Sequence, residues 1–436
     1  MINVGVMLFS NDLRIEDNAT LLHACSQVDK LICLYCDDSF HPSISLQTPE
    51  SPSKLRQNFL YQSLESLDKS LAVYQQHLVV RKQPQTNALA EIITQHNVTH
   101  VFSSRNAGWY ENYQWSLLRS RYPMIHFEQQ DSHTLFKQSQ LPFELHNLPE
   151  SFSKFRRQIE KKLCITPPEG KPSRMPAAVP IPRSEKLNLS IQSDSTDLFR
   201  GGEDAGRRHL DKYFASELPS TYKKTRNGLD GMDYSTKFSP WLSNGSLSVN
   251  SIMAALKKYE GKKGANDSTY WIFFELLWRE YFQWYAHHHK SRLYGFGGIN
   301  NWQPNTSFYP QRFQKWCHGT TPFPLINALM NQLRATGYMS NRGRQLVASC
   351  FVHELNLDWR YGARFFEKHL IDYDLASNWG NWQYLAGVGA DPRGHRKFDL
   401  SKQAEIYDSE GKFTQAWDGF GSGDDLDSTD AADWPV

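Results

Sequence analysis

Short apolar, β-rich runs recur through the first third of the chain at 4–9, 31–35, 77–80, 98–102 and 125–127, each bounded by polar or turn-forming residues. Between them, stretches such as 54–73 and 88–96 repeat their apolar residues at helical spacing. Continuous apolar strands alternating with amphipathic helices predict a parallel sheet covered by helices on both faces, a Rossmann-like α/β domain. From 164 to 198 the chain turns rich in Pro, Ser and Lys (ITPPEGKPSRMPAAVPIPRSEK) and loses periodicity, which predicts a linker running over the surface. Helical patterns then dominate at 205–213, 249–259, 269–290, 324–336, 342–355, 362–370 and 375–385, so the second domain is expected to be all-α. At 436 residues the chain is too long for one ordinary core. The expected division is an α/β domain over 1–130, a linker over 131–200, a helical domain over 201–420 and a disordered acidic tail over 421–436.

Composition narrows the class. The amino terminus lacks a basic start and a cleavage site, and no apolar stretch reaches the ~20 residues a membrane span needs, so a soluble cytoplasmic protein is expected. Six scattered cysteines suit reduced thiols. Cys33 and Cys36 form a lone C-x-x-C inside the strand-like LICLYC, and without a second pair they predict a buried strand and no metal. The net charge of +2 hides an asymmetry: residues 1–145 carry 11 basic and 14 acidic side chains, whereas 146–420 carry 37 basic and 27 acidic ones. A basic helical domain fits a polyanionic partner, and equally a bound diphosphate. No heptad or long edge strand demands an oligomer, so a monomer is expected.

Three segments could carry chemistry. In 269–290 (TYWIFFELLWREYFQWYAHHHK), steps of four, three and four put Trp271, Glu275, Trp278 and Phe282 on one helical face, with Glu275 and Arg279 spaced to pair. A core helix with a surface ion pair has the same pattern, but a carboxylate among stacked aromatics also suits the reading of a flat heterocycle. In 370–385 (LIDYDLASNWGNWQYL), Asp374, Asn378 and Trp382 align an acid, an amide and an indole. Asp372 lies beside them, and Arg344 is a partner from another helix; the acids could equally be N-caps and the tryptophans core. The third segment, YKKTRNGLDGMDYSTKFSPWLSNGSLS, gathers hydroxyls, backbone N–H groups and Lys237, the equipment for holding a diphosphate. No G-x-G-x-x-G or P-loop occurs.

Taken in order, DYSTKFSPWLSNGSLS, ELLWREYF, TGYMSNRGRQLVAS and LIDYDLASNWGNWQYLAGVGADPR resemble the flavin-binding domain of photolyases and cryptochromes. MSNRGRQ, SNWGNWQYLAGVG, FSNDLRIEDN, LPFELHNLP and FSKFR resemble the cryptochrome DASH branch in particular, so the resemblance covers nearly all of 1–420.

The resemblance implies a helical domain that holds FAD in a folded shape. Tyr222 and the loop Ser235, Thr236, Lys237, Phe238 and Ser239 would hold its diphosphate and ribityl region. Arg279, Asn341, Arg344, Asp372 and Asp374 would line the flavin, with Asn378 at its reactive edge. Trp382 and Trp359 match the first two members of the family's electron relay. The outer member falls on Trp302, at a spacing to Trp316 longer than the family's, with Phe308 or Tyr309 as alternatives. On the substrate side, Glu275 would hydrogen-bond a cyclobutane pyrimidine dimer and Trp278 would pack on it. Asn341 and Arg342 would border the cavity, and Tyr384 stands where ordinary photolyases have Trp. A weaker hold on a flipped lesion favours single-stranded DNA, because extruding a duplex base costs about a few kcal/mol. The branch also implies a methenyltetrahydrofolate antenna near the fourth strand, where Asn106 takes the place of the expected carboxylate and Glu111 lies close by.

The expected function is therefore blue-light-driven repair of pyrimidine dimers in single-stranded DNA. A photoreceptor would use the same flavin and tryptophans, and a nucleic-acid binder with a vestigial flavin would rest on the basic domain alone. The repair-side residues Glu275 and Trp278, and a tail of only sixteen residues, favour the enzyme.

Overall fold

A computed structural model describes residues 2–37, 51–162, 165–181, 198–390, 397–421 and 426. The α/β part runs β1 (Val4–Phe9), α1 (Ala19–Gln27), β2 (Lys30–Cys36), α2 (Lys54–Ala72), β3 (Leu78–Arg81), α3 (Gln85–His96), β4 (His100–Ser104), α4 (Trp109–Arg121) and β5 (His126–Gln130). The strands are parallel in the order β3-β2-β1-β4-β5. Every residue of β1 is buried because successive side chains enter opposite cores: Val4, Val6 and Leu8 pack in one, Met7 and Phe9 in the other. The LICLYC run is β2, and burial pushes the Cys33 thiol upward. The acidic tail lies outside the described residues apart from 421 and 426.

The region expected to be a bare linker does more. Helix α5 (Phe152–Lys161) buries Phe152, Phe155 and Ile159, and β6 (Ala177–Ala178) pairs with β2. Val179 and Ile181 join the sheet's core, since prolines on either side leave just enough extended chain for a short edge strand. Cys164 and 182–197 lie outside the described residues.

The helices that follow are α6 (Glu203–Ala215), α7 (Leu218–Thr225), α8 (Ser239–Ser243), α9 (Val249–Lys263), α10 (Asp267–His289), α11 (Pro310–His318), α12 (Pro324–Thr336), α13 (Asn341–Ser349), α14 (Trp359–His369), α15 (Leu375–Leu385), α16 (Leu400–Tyr407) and α17 (Lys412–Ala416). The single helix expected over 342–355 is instead α13 followed by a π-turn, Cys350–Glu354. That turn lets Phe351 meet the Trp382 ring at 5.5 Å. Among the described residues no helix is long and apolar enough to cross a membrane.

The two layers are stitched at the carboxyl ends of β1 and β4, the switch point where open α/β sheets commonly bind ligands. Here that crevice is filled by the chain itself. Buried Arg14 donates to the carbonyls of Asp17, Ser132 and Gly245, and Glu203 of α6 accepts the N–H groups of Ile15 and Glu16. The large cavity lies instead within the helical layer.

Candidate cofactor and substrate cavity

Helices α7, α8, α10, α13 and α15 surround a cavity of about 520 Å³, within the range of small-molecule sites. Two glycines permit its packing. A Cβ on Gly380 would stand 2.3 Å from Phe282 of α10, and one on Gly362 would stand 2.2 Å from the Trp382 indole. Helix α15 therefore fits between α10 and α14 only because both positions lack a side chain.

The cavity floor is the aligned stripe of α15. Asp374 caps the helix by accepting from the Ser377 N–H at 2.7 Å and also accepts both contacts of Gln283 Nε2, at 2.8 and 2.9 Å. Burial would raise its carboxyl, but the hydrogen bond of the Ser377 N–H and the charge of Arg279 hold it well below the usual range. One turn on, Asn378 donates from Nδ2 to Ala363 O at 2.9 Å, and a further turn brings Trp382, 2% exposed. Arg344 pairs with buried Asp372 at 2.7 and 2.9 Å. Asp374 is thus an N-cap and a cavity wall at once, while Asp372 is a cavity-lining ion-pair partner.

Not every anticipated contact forms. Glu275 pairs with Arg226 at 2.6 Å and not with Arg279, because Arg279 is drawn to the segment joining sheet to helices, donating to His133 O and Nε2 at 2.9 and 2.6 Å. Burial, reinforced by that guanidinium, lowers His133 to about 4. Burial pushes the Glu275 carboxyl up, opposed by Arg226. Trp278 lines the cavity with one face stacked on Phe152 at 3.8 Å and in T-shaped contact with Tyr384 at 5.9 Å. Trp271 lies off the lining, beneath Lys223 and Arg226.

Of the loop expected to hold a diphosphate, Thr236, Phe238 and Ser239 line the cavity with Tyr222, and Ser235 and Lys237 do not. Lys237 adopts φ 54° and places its ammonium over the Tyr338 ring at 4.6 Å. Asn341 and Arg342 also line it, Asn341 at the exposed rim. Trp359 is fully buried behind the wall, its Nε1 donating to Phe296 O at 2.9 Å, and Trp302 is a surface residue, 41% exposed. Asn106 sits at the start of α4 with its oxygen accepting from the Gly108 N–H, and the Glu111 carboxylate lies over Gly108.

Sequence reasoning missed Arg226 and Phe398 in the lining. Arg226 stands four residues after Tyr222, at the end of the same helix, and that spacing was its available signal. Phe398 arrives from a distant loop without one.

The buried Nε atoms of Arg226 and Arg342 have no protein partner. With the hydroxyls of Thr236 and Ser239 and the amide of Asn378, they make a donor-rich, aromatic-walled cavity that suits a large flat ring bearing phosphates.

Residues 5–176 match the family model of DNA photolyase, and residues 271–418 match that of the FAD binding domain of DNA photolyase. The fold and cavity are therefore those of a flavoprotein of the photolyase class. The chain is 51% identical to cryptochrome DASH of Idiomarina loihiensis over 99% of its length and 96% of the relative's. Its identity to cryptochrome DASH of Vibrio parahaemolyticus is 50%, over 99% of this chain and 97% of the relative. The crystal structure of a Synechocystis cryptochrome superposes with a TM-score of 0.86 at 37% identity, covering 96% of this chain and 89% of that one. The chain belongs to the cryptochrome DASH branch of the photolyase and cryptochrome family.

Proposed function

We propose that this protein is a blue-light-driven repair enzyme that reverses cyclobutane pyrimidine dimers, acting as a single chain and favouring single-stranded DNA. One observation carries the reading: the polar floor suited to FAD and the aromatic, acidic wall suited to a flipped dimer belong to one continuous cavity. When bound, FAD supplies light-driven transfer of one electron to the dimer and its return after the ring opens. Thr236, Ser239 and Tyr222 hold the phosphate and ribityl end, and the Arg344–Asp372 pair fixes the floor. Asn378 gives one of its two amide N–H groups to Ala363, and its carbonyl oxygen can accept from the flavin edge, where an acceptor favours the protonated, reduced ring.

On the substrate side, the raised Glu275 carboxyl is poised to hydrogen-bond the dimer's carbonyl or imide edge. Trp278 and Tyr384 pack against it, and Arg226 and Arg342 meet the flanking phosphates. Because Tyr384 offers less stacking area than an indole, the site recovers less of the cost of extruding a duplex base.

The test is repair of a thymine-dimer oligonucleotide by the FAD-loaded protein with reductant, in blue light and in the dark. Repair in light alone supports the reading. Photoreducible FAD without any repair would instead leave a photoreceptor.

A further inference from the structure

We propose that the hole left by photoreduction exits through Trp379 to Tyr294, making Tyr294 the outer member of an aromatic relay that runs toward α4. This deepens the flavin reading above and rests on it.

The contacts lead there step by step. Trp382 packs against Gly362, one turn along α14 from Trp359, so the two buried indoles flank the same helical turn. The Trp359 ring meets Trp379 edge-on, with centroids 5.7 Å apart. Trp379, 7% exposed, meets Tyr294 at 4.9 Å, and its Nε1 donates to Tyr373 OH at 3.3 Å. Tyr373 itself lines the cavity. Tyr294 is half-buried at the end of the turn following α10, and its phenol oxygen accepts the Trp109 N–H at the start of α4. Trp109 stacks on Tyr113, which is 54% exposed. Aromatic rings thus run in near contact from Trp359 through Trp379 to Tyr294, whose phenol is bonded to the start of α4. Trp302 stands in a surface loop, its N–H donating to Gly297 O.

A phenol at the end of the series changes the chemistry. Tyr294 gives one electron to the oxidised Trp379 indole. Its O–H bond breaks as the electron leaves, and the proton goes to Glu111, whose carboxylate lies over Gly108 beside the Trp109 N–H that the phenol accepts, and on to solvent. The product is a neutral radical with no charge drawing the electron back. A soluble thiol then returns one hydrogen atom to Tyr294 and is itself oxidised by one electron, so the flavin's gain is balanced.

The experiment is flash excitation of oxidised, FAD-loaded protein without reductant, followed by transient absorption and electron paramagnetic resonance. A long-lived tyrosyl radical is expected in wild type and in Trp302→Phe. It should be lost in Tyr294→Phe and Trp379→Phe, with severalfold slower steady-state photoreduction by thiol. Tyr294→Phe removes one oxygen atom, and the flavin spectrum verifies loading. An undiminished tyrosyl signal in Tyr294→Phe, or its loss in Trp302→Phe, would overturn the branch. Trp382→Phe separates the two levels: slow photoreduction there with normal Tyr294→Phe sinks the branch alone, and unchanged photoreduction in both sinks the relay as well.

Discussion

At the residue scale, Glu275, which lines the cavity beside Trp278, is the side chain we propose reads the lesion. Paired with Arg226 at 2.6 Å, its carboxyl is fixed in direction before any substrate arrives. Replacing it with Ala removes a hydrogen bond of the charged kind, worth about 1.5–3 kcal/mol, so dimer repair should fall about 10- to 100-fold. The flavin absorption spectrum should not change; equal repair by variant and wild type would remove Glu275 from the substrate side. Helical periodicity set this residue beside Trp278 in the sequence, as it aligned Asn378 with Trp382, but only the family resemblance gave these positions a role. Arg226 was not assigned because its place depends on how α7 packs against α10. Lys237 stands off the lining for a local reason: it has a left-handed backbone and its ammonium lies over Tyr338.

At the scale of elements, the site depends on α10 meeting both α15 and the strap that joins sheet to helices. Gly380→Ala would drive a methyl group into Phe282, and urea unfolding should show a loss of about 1–3 kcal/mol. The strap is held by Glu280, fully buried on α10, which accepts the N–H groups of Leu135 and Phe136 at 2.7 and 3.1 Å and Trp284 Nε1 at 2.7 Å. Burial outweighs these bonds and pushes its carboxyl up to about 7. Its folded pKa thus exceeds its unfolded one, roughly 4.3, so the folded state binds the extra proton between those values. The contribution of Glu280 to stability is therefore lost as pH rises through that window, by on the order of 3 kcal/mol when complete. Thermal melts of Glu280→Gln against wild type should shift in favour of the variant from about pH 5 to about pH 8. A constant difference would show that Glu280 does not titrate there. Strand and helix positions were readable from periodicity, and Pro324–Thr336 and Leu375–Leu385 match their expected limits. The π-turn after α13 and strand β6 were not, since one follows from packing around Trp382 and the other from pairing with β2.

Across the whole molecule, the charge asymmetry places the basic excess on the helical layer that contains the cavity. Binding of a dimer-containing single strand should weaken with salt at about −0.7 per phosphate contacted on a log–log plot. Arg342→Ala should flatten that slope by about 0.7. An unchanged slope would take Arg342 away from the phosphates. Sequence motifs identified the cavity's two sides but not that they are continuous, which depends on the close approach of α10, α14 and α15 at Gly362 and Gly380.

The most direct measurement is parallel blue-light repair of one dimer-containing oligonucleotide, single-stranded and as a duplex, by the reduced FAD-loaded protein. Efficient repair of the single strand with little repair of the duplex is the predicted result; equal repair of both, or of neither, would contradict the account.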